Sequence, residues 1–265
     1  MIISEKVVIV MIDIHSHILH GVDDGPRTEE ESLQMLKRAV QEGITEIIST
    51  SHALKPQFHV DYATVVKKLD NLRELIEHHD LPITLHTGQE VRLNNHIGNL
   101  LNDNQLHVLA NSKYVLIELP SNIIPSYTND LMSKLLIAGY TPIIAHPERN
   151  RAIAENPSRL EVLIRNGAFA QITAGSLSGH FGRKTQKFSL ELIRANYVHT
   201  YGSDVHNLTT RPFHFEKGLR YLEKKKELDI VDILLENNRR IIDNQPLILL
   251  EPVEIKKPRY FKIKN

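Results

Sequence analysis

The sequence predicts an α/β protein, a distorted (β/α)7 TIM-like barrel, from three observations. Seven apolar, β-branched stretches occur along the chain, amphipathic segments separate them, and all lie in one continuous domain. Strands that alternate with helices favour parallel pairing through right-handed crossovers. The strand candidates are "VVIVMIDIH", "ITEIIST", "PITLHTG", "KYVLIEL", "TPIIAHP", "AFAQITA" and "VHTYGSD". Seven strands fall short of the eight of a complete barrel, hence the distortion.

An open doubly wound sheet is the main rival to the barrel. When such a sheet binds a nucleotide, a glycine-rich loop usually follows one of its strands. Neither G-x-G-x-x-G nor G-x-x-x-x-G-K-[ST] follows any strand candidate, so the sequence does not support nucleotide binding. The helical segments include "TEEESLQMLKRAVQEG", whose Thr28–Glu31 spacing predicts a capping box and whose end is predicted at Gly43. We predict one catalytic domain over residues 1–250 and a basic C-terminal tail over residues 251–265.

Composition narrows the class of protein. The 265 residues are 41% hydrophobic, and 32 Lys+Arg balance 32 Asp+Glu, which gives no basic surplus for nucleic acid. No apolar run is long enough for a membrane span, and we expect a cytoplasmic protein. The absence of cysteine excludes disulfides, thiolate nucleophiles and Cys-ligated zinc. Any metal must therefore be held by His, Asp and Glu, and the chain has 15 histidines.

Polar side chains follow the strand candidates at their carboxyl ends, where barrel enzymes build their active sites. Six of the seven candidates end in His, Asp or Glu. In chain order these residues are Asp13, His15 and His17, with Asp23 and Asp24 in the following loop; His52; Glu90; Glu118; His146, with Arg149 after it; and Asp204 and His206.

Each of these features is weak alone, but together they predict a metal site. His15 and His17 project on one face of a strand because side chains alternate with period two. Glu118 ends an apolar strand, where a carboxylate needs a salt bridge or a metal. In a closed barrel the first and last strands are neighbours, which brings Asp204 and His206 beside His15 and His17. Five histidines and four carboxylates could then hold two or three divalent ions.

The ordered set "DIHSH", "DDG", "TSH", "GQE", "IEL", "AHPER" and "SDVHNLTTRP" resembles the polymerase-and-histidinol-phosphatase (PHP) family of metal-dependent enzymes. Within it, the chain is most similar to the bacterial protein-tyrosine phosphatases of capsule and exopolysaccharide operons, the CpsB or YwqE type. The likeness runs from about Met11 to Asn244. It implies the PHP fold, a distorted (β/α)7 barrel, with a site for three ions.

The resemblance also implies a role for individual residues. His15, His17, Glu90 and Asp204 would hold the first ion; Glu90, Glu118 and His146 the second; and Asp23, His52 and His206 the third. Arg149 and Arg211 would grip the phosphate, since a guanidinium presents a planar fork of donors. Manganese is the expected metal, and His/Asp/Glu sites also suit iron or zinc.

The resulting expectation is a metal-dependent protein-tyrosine phosphatase. A hydroxide activated by the metals would attack phosphorus directly, because no cysteine is present to form a phosphoenzyme. The resemblance implies a partner, an autophosphorylating bacterial tyrosine kinase that controls capsule or exopolysaccharide synthesis and whose tyrosine-rich tail is the substrate.

Three alternatives remain open from the sequence. One is a small-molecule phosphomonoesterase of the same family, of the histidinol-phosphatase type. The loops between the strands set the width of the pocket and so decide between this substrate class and a protein. Another is an amidohydrolase-type metallohydrolase, which also opens with HxH, although "SDVH" departs from its lone Asp. The last is a metal-containing scaffold that docks on a kinase without turnover. Two interpretations of the N-terminal "MIISEKVVIV" are also open: either Met11 is the natural start, or the extension lengthens the first strand.

Overall fold

The computed structural model describes residues 11–255, in which strands and helices alternate. The strands are β1 (Met11–Ser16), β2 (Ile44–Ser49), β3 (His52–Ala53), β4 (Thr84–Thr87), β5 (Glu90–Arg92), β6 (Tyr114–Glu118), β7 (Thr141–Ala145), β8 (Phe169–Thr173) and β9 (Thr200–Gly202). The helices are α1 (Glu29–Gln41), α2 (Tyr62–His78), α3 (Ile97–Asn102), α4 (Thr128–Ile137), α5 (Arg151–Glu155), α6 (Ser158–Arg165), α7 (Ala174–Ser178), α8 (Arg183–Arg194), α9 (Phe215–Lys224) and α10 (Leu228–Ile242). Short 3-10 turns cover Leu109–Asn111 and Pro147–Arg149. Each predicted strand segment overlaps an observed strand, and residues 7–10 of the first segment lie outside the described residues.

All strand pairs are parallel, and they form two sheets. The first sheet has the order β1-β2-β4, and the second has the order β3-β5-β6-β7-β8-β9. The α/β class and the parallel pairing are therefore confirmed, whereas a closed (β/α)7 barrel stays a prediction. Strand order follows chain order throughout the described residues, without the reversal that marks a doubly wound sheet.

Two neighbouring strands are interrupted near their carboxyl ends, at the point where the first sheet gives way to the second. Strand β2 stops at Ser49 and the chain resumes as β3 at His52, while β4 stops at Thr87 and the chain resumes as β5 at Glu90. A Cβ at Gly88, inside the second break, would lie 2.7 Å from Cγ2 of Ile48, so only glycine lets the chain pass there. The same two segments pair on both sides of the interruption, Ser49 with Thr87 before it and His52 with Glu90 after it. The breaks thus deliver two polar side chains next to each other.

The first and last strands meet through their carboxyl ends. The backbone N–H of Asp204 donates to the carbonyl of His15 at 2.8 Å, and that of His17 donates to the carbonyl of Val205 at 2.9 Å. The N–H of Ser203 donates to Oδ1 of Asp13, 190 residues away in the sequence, at 2.9 Å. The first and last strands are therefore neighbours at their carboxyl ends, as the sequence predicts.

Helix α1 begins and ends as the sequence predicts. The hydroxyl of Thr28 accepts from the N–H of Glu31 at 3.2 Å, and Gly43 follows the helix with a left-handed φ of +84°. The carboxylate of Glu31 accepts from the N–H of Arg27 at 2.6 Å, one residue before the partner of a standard capping box. The cap orients the loop between β1 and α1, which contains Asp23 and Asp24.

The apolar side chains of the strands alternate between two buried clusters. In β6, Val115 and Ile117 belong to the larger cluster and Leu116 to the smaller; in β7, Ile144 and Ile143 divide in the same way. Both faces of the sheets are thus covered, as is typical of parallel sheets. Each fully buried side chain of this kind contributes about 1.5–3 kcal/mol to folding. The polar strand ends are consequently held on a rigid framework.

The last described residues lie against the domain. The N–H of Val253 donates to the carbonyl of Ala195 at 2.9 Å, and the side-chain amide of Asn196 donates to the carbonyl of Glu251 at 2.8 Å. The rest of the predicted basic tail (256–265) and the N-terminal extension of strand one (1–10) lie outside the described residues. Among the described helices, none combines the length and the apolar character needed to cross a membrane.

Candidate metal centre

The strand ends bring eight of the nine predicted metal ligands into one cluster. Its ligand atoms form four overlapping groups, and within each group they lie within 4.8 Å of one another. The groups are His17, Asp24, His52 and His206; His15, Glu90 and His146; His15, His17 and Asp204; and His52, Glu90 and Glu118. We call these nine residues together the ligand cluster. Predicted ligand Asp23 is absent from it, and Asp24 is present instead.

The two histidines of β1 are oriented by partners outside the ligand cluster. Nδ1 of His15 lies 3.0 Å from Oε1 of Gln171, and Nδ1 of His17 lies 2.9 Å from Oδ2 of Asp23. Because one ring nitrogen is occupied, the other, Nε2, faces into the cluster. Partners of this kind hold metal-ligating imidazoles in a fixed tautomer and orientation.

Four buried imidazole nitrogens of the cluster make no hydrogen bond of good geometry, although carboxylate oxygens lie near them: Nε2 of His15, Nε2 of His17, Nε2 of His206 and Nδ1 of His52. Orphaned buried polar atoms are rare and costly in folded proteins. Burial, with the nearby charge of His17, lowers the pKa of His206 to about 4, which favours the neutral imidazole that can bind a metal. The donor set therefore fits divalent cations.

Glu90 lies at the middle of the cluster. Its Oε1 is 2.7 Å from Nε2 of His146, and its Oε2 is 2.9 Å from Nδ1 of His52. Burial would raise the pKa of Glu90, but the neighbouring imidazoles of His15, His146 and His17 hold it well below the usual value. An ionised carboxylate that belongs to two ligand groups is placed to bridge two cations.

The structure places Asp23 next to the ligand cluster but not within it. Both of its oxygens are already used: Oδ2 accepts from the N–H of His52 at 3.1 Å besides contacting His17, and Oδ1 accepts from the N–H of Gly25 at 2.9 Å. These donors lower the pKa of Asp23 to about 2 although burial would raise it. Asp23 thus orients a ligand and does not face the cluster.

Asp24, the next residue, faces the ligand cluster. Its Oδ1 lies 3.2 Å from Nε2 of His52 and 3.3 Å from Nε2 of His206. Burial would raise the pKa of Asp24, but the imidazoles of His206 and His52 lower it far below the usual value. The carboxylate is therefore ionised and faces two of the ligands predicted for the third ion.

Glu118 and His146 were predicted to share an ion with Glu90, and the structure places both against Glu90. Glu118 joins the group of His52, and His146 joins the group of His15. Oε2 of Glu118 lies 3.1 Å from a terminal nitrogen of Arg92 and has no hydrogen-bond partner of good geometry. Glu118 is thus balanced by positive charge without being hydrogen-bonded.

Both predicted phosphate-binding arginines reach one carboxylate. A terminal nitrogen of Arg149 donates to Oδ2 of Asp204 at 2.5 Å, and one of Arg211 donates to the same oxygen at 2.8 Å. The other oxygen, Oδ1, lies 3.3 Å from Nε2 of His15 and 3.6 Å from Nε2 of His17. Asp204 therefore joins the two arginines to the ligand cluster through its two oxygens.

The cluster opens into a cleft of about 340 Å³. Its walls are His52, Lys55, Glu90, Glu118, Leu119, Ser121, Ala145, His146, Arg149, Asn150, Asp204 and Arg211. Three of these side chains, Lys55, Arg149 and Arg211, are cationic. A tetrahedral anion that enters the cleft would meet the two guanidiniums as well as the ligand cluster. The arrangement suits hydrolysis of a phosphate ester.

Sequence reasoning assigned no role to four residues of the site, of which it had named only Asp24. Asp24 belongs to the ligand cluster, and Gln171 orients His15. Lys55 lies with Nζ 2.6 Å from Nε2 of His52, and Arg92 neighbours Glu118. The motif "DDG" offered Asp24 as well as Asp23, whereas the other three residues carry no spacing signal of their own.

Comparisons with known proteins agree with the chemistry of this site. Residues 11–243 match the family model of capsular polysaccharide synthesis, CpsB/CapC. The tyrosine-protein phosphatase YwqE of Bacillus subtilis (strain 168) is 40% identical over 251 residues, 95% of this chain and 99% of the relative. The putative tyrosine-protein phosphatase CapC of Staphylococcus aureus is 40% identical over 89% of this chain and 92% of its own length. CpsB of Streptococcus pneumoniae, a tyrosine-protein phosphatase, is 31% identical over 89% and 99%.

Solved structures extend the likeness to the backbone. A crystal structure from work on YwqE of B. subtilis and CpsB of S. pneumoniae, described as unique metal-dependent tyrosine phosphatases, superposes with a TM-score of 0.91 at 40% identity. That match covers 93% of this chain and 100% of the other. An organophosphorus hydrolase variant from Deinococcus radiodurans gives a TM-score of 0.55 at 13% identity over 88% and 92%, a likeness of fold alone.

Proposed function

Since the chain belongs to the CpsB/CapC family of capsular polysaccharide synthesis, we propose that it is a metal-dependent protein-tyrosine phosphatase. One observation carries the proposal: buried, unpartnered imidazole nitrogens and ionised carboxylates converge beside two arginines at the floor of a cleft. The absence of cysteine agrees with it, because a phosphocysteine intermediate is then impossible.

We propose three sets of ligands, one for each of three ions. The first set is His15, His17, Glu90 and Asp204; the second is Glu90, Glu118 and His146; and the third is Asp24, His52 and His206. Asp24 replaces Asp23 in this proposal because its carboxylate lies against Nε2 of His52 and of His206, whereas the oxygens of Asp23 are taken up by Nδ1 of His17 and by backbone N–H groups. We propose manganese as the metal, with iron or zinc as other ions that His, Asp and Glu accept. When bound, such ions supply positive charge against the carboxylates and activate water for attack on phosphorus.

Side chains of the protein itself bind and orient the phosphate. Arg149 and Arg211 hold it, because each guanidinium can donate two parallel hydrogen bonds to phosphate oxygens. Burial by itself would lower the pKa of Arg149, but Asp204 and other carboxylates raise it, so the guanidinium stays charged. Water attacks the held phosphate directly, and tyrosine leaves as a phenol whose pKa in water is about 10.

We also propose that the two sheets act as one distorted seven-stranded barrel. The breaks after β2 and β4 join the sheets along the chain, and the hydrogen bonds between His15 and Asp204 join the first strand to the end of the last. Residues 1–250 would form this single catalytic domain, followed by the tail at 251–265.

The proposed substrate is the phosphotyrosine tail of an autophosphorylating bacterial tyrosine kinase, which the enzyme meets in the cytoplasm. Family membership supports this part of the proposal. A cleft lined by cationic side chains at the ends of the strands suits a phosphorylated side chain that protrudes from a flexible segment.

The proposal is tested by comparing release of phosphate from a phosphotyrosine peptide and from histidinol phosphate. One preparation is assayed as purified, after chelation, and after manganese is restored. Fast, chelator-sensitive release from the peptide is expected. Release from histidinol phosphate alone would keep the site but overturn the substrate class, and no release from either would overturn the phosphatase assignment.

A further inference from the structure

A two-residue segment, His180–Phe181, lies between α7 and α8 and is enclosed by two glycines with left-handed backbone. The φ angles are +85° at Gly179 and +90° at Gly182. The N–H of His180 donates to the carbonyl of Gly175 at 2.9 Å, and that of Gly182 donates to the carbonyl of Gly179 at 3.0 Å. The turn is therefore fixed at both ends, although neither His180 nor Phe181 lines the cleft.

Phe181 supports the first arginine. Its ring lies under the guanidinium of Arg149, with Cζ 5.1 Å from the ring centroid, a distance at which the cation is attracted to the π face. The ring also packs against α7 at Gly175, where an added Cβ would lie 2.8 Å from Cε2 of Phe181. The ring is thus held between α7 and the guanidinium, and it limits where Arg149 can go.

His180 supports the loop of the second arginine. Its Nε2 lies 2.8 Å from the carbonyl of Thr210 and donates to it, because a carbonyl only accepts. The same loop is organised from within by Asn207, whose Oδ1 accepts from the N–H groups of Thr210 at 2.7 Å and of Arg211 at 3.1 Å. His180 therefore fixes this turn from outside, one residue before Arg211.

We propose that His180 and Phe181 are positioning residues that set the separation of the two guanidiniums for phosphate. The inference rests on the proposed function, since it assigns Arg149 and Arg211 to the phosphate. Both arginines are long side chains with considerable rotamer freedom, and a phosphate is gripped well only when its donors are held in place. The same short turn contacts Arg149 through Phe181 and the loop of Arg211 through His180. The positions of the two guanidiniums are therefore coupled.

The Phe181 arm of the test uses Phe181→Leu, which removes the π face, and Phe181→Tyr, which restores it. Two quantities are measured: kcat/KM for a phosphotyrosine peptide, and the affinity for inorganic phosphate by calorimetry. Phe181→Leu should lower both roughly threefold to thirtyfold, the range that a lost cation–π contact produces. Phe181→Tyr should stay within about twofold of the wild type, and Phe188→Leu, an aromatic loss on α8, should change neither quantity.

A double-mutant cycle separates positioning from a merely structural role. If Phe181 acts through Arg149, Phe181→Leu has no further effect in an Arg149→Ala background, because coupled residues are not additive. The His180 arm works in the same way: His180→Ala should lower both quantities and lose its effect in an Arg211→Ala background. His180 is exposed, so this arm remains informative if Phe181→Leu does not fold.

Additive losses in both cycles, or unchanged kinetics in Phe181→Leu and His180→Ala, would overturn the positioning role. Failure of the proposed function looks different. In that case the wild type releases no phosphate from the peptide, while calorimetry with inorganic phosphate still reports whether the two residues act through the arginines.

Discussion

The carboxylate of Asp23 lies 2.9 Å from Nδ1 of His17, on the side of the ring that faces away from the ligand cluster. Asp23 thereby decides which nitrogen of His17 points inward. Burial would lower the pKa of His17, but Asp23, Asp204 and Glu90 raise it well above its usual value. The negative field that favours a proton on this ring equally favours a divalent cation beside it.

This division of labour predicts different effects for two adjacent aspartates. Asp24→Asn should lower the metal content of the purified protein, because it removes a charged ligand. Asp23→Asn should keep the stoichiometry and weaken metal affinity about 10–100-fold, the usual cost of losing a partner that orients a ligand. Elemental analysis and competition with a chelator measure both quantities, and Asp70→Asn on the surface of α2 is the control. Equal stoichiometry in Asp24→Asn and the wild type would contradict the assignment.

The arginines should matter for turnover and not for metal. Arg149→Ala and Arg211→Ala are each expected to fold, to keep their metal content, and to lose roughly 10²–10³-fold in kcat/KM, the scale for one removed donor to a developing anion. Steady-state kinetics and elemental analysis on the same samples give both readouts. Arg220→Ala, which breaks an exposed ion pair with Glu216, is the matched control. Normal rates in both cleft variants would remove the phosphate-binding role.

The β1 histidines should matter for metal itself. His15→Ala combined with His17→Ala is expected to lower metal content and activity together, because two inward-facing nitrogens are lost. The double variant His78→Ala with His79→Ala, at the exposed end of α2, should behave as the wild type. If the cluster variant retained its full metal content, the site would lie elsewhere.

A pH dependence of stability follows from His199, away from the cluster. Burial lowers the pKa of His199 to about 4, below the value near 6.5 expected in the unfolded chain. Folding therefore favours the neutral ring, whose Nδ1 accepts from the N–H of Ala170 at 3.2 Å. The contribution is complete above pH 6.5 and is lost as pH falls toward 4.

We expect the free energy of unfolding in urea to fall from pH 6.5 to 4.5, and to fall less steeply in His199→Asn. His79→Asn, at an exposed position, should keep the slope of the wild type. Identical slopes for His199→Asn and the wild type would show that this ring does not titrate with folding.

Much of the site follows from the sequence because period-two strands and parallel pairing are strong constraints. Once His15, Glu90, Glu118 and His146 are placed at the ends of parallel strands, they must meet at one edge of the sheets. The choice between Asp23 and Asp24 is different, since it depends on a turn in which the N–H of Gly25 captures the first carboxylate. Neighbouring positions in a loop differ in direction, and no periodicity specifies which one faces inward.

The interruptions after β2 and β4 could not be predicted from the sequence either. "ITEIISTSHA" has the composition of one continuous strand, whereas in the structure β2 ends at Ser49 and β3 begins at His52 in the second sheet. The support of the arginines by His180 and Phe181 depends on where α7 and α8 pack, a tertiary contact that local pattern does not encode.

The hydrogen bonds between β1 and the end of β9 have a consequence for biosynthesis. Since Asp13 contacts Ser203 and His15 contacts Asp204, the ligand cluster is assembled from both ends of the domain. A chain growing from the ribosome cannot complete the cluster until the segment with Asp204 and His206 has emerged. Until then Asp24 lacks its contact with His206, and a truncated product would lack the hydrogen bonds that join β1 to the end of β9. The ligand cluster can therefore form only late in synthesis, and α9 and α10, which follow it in the chain, still have to emerge and pack.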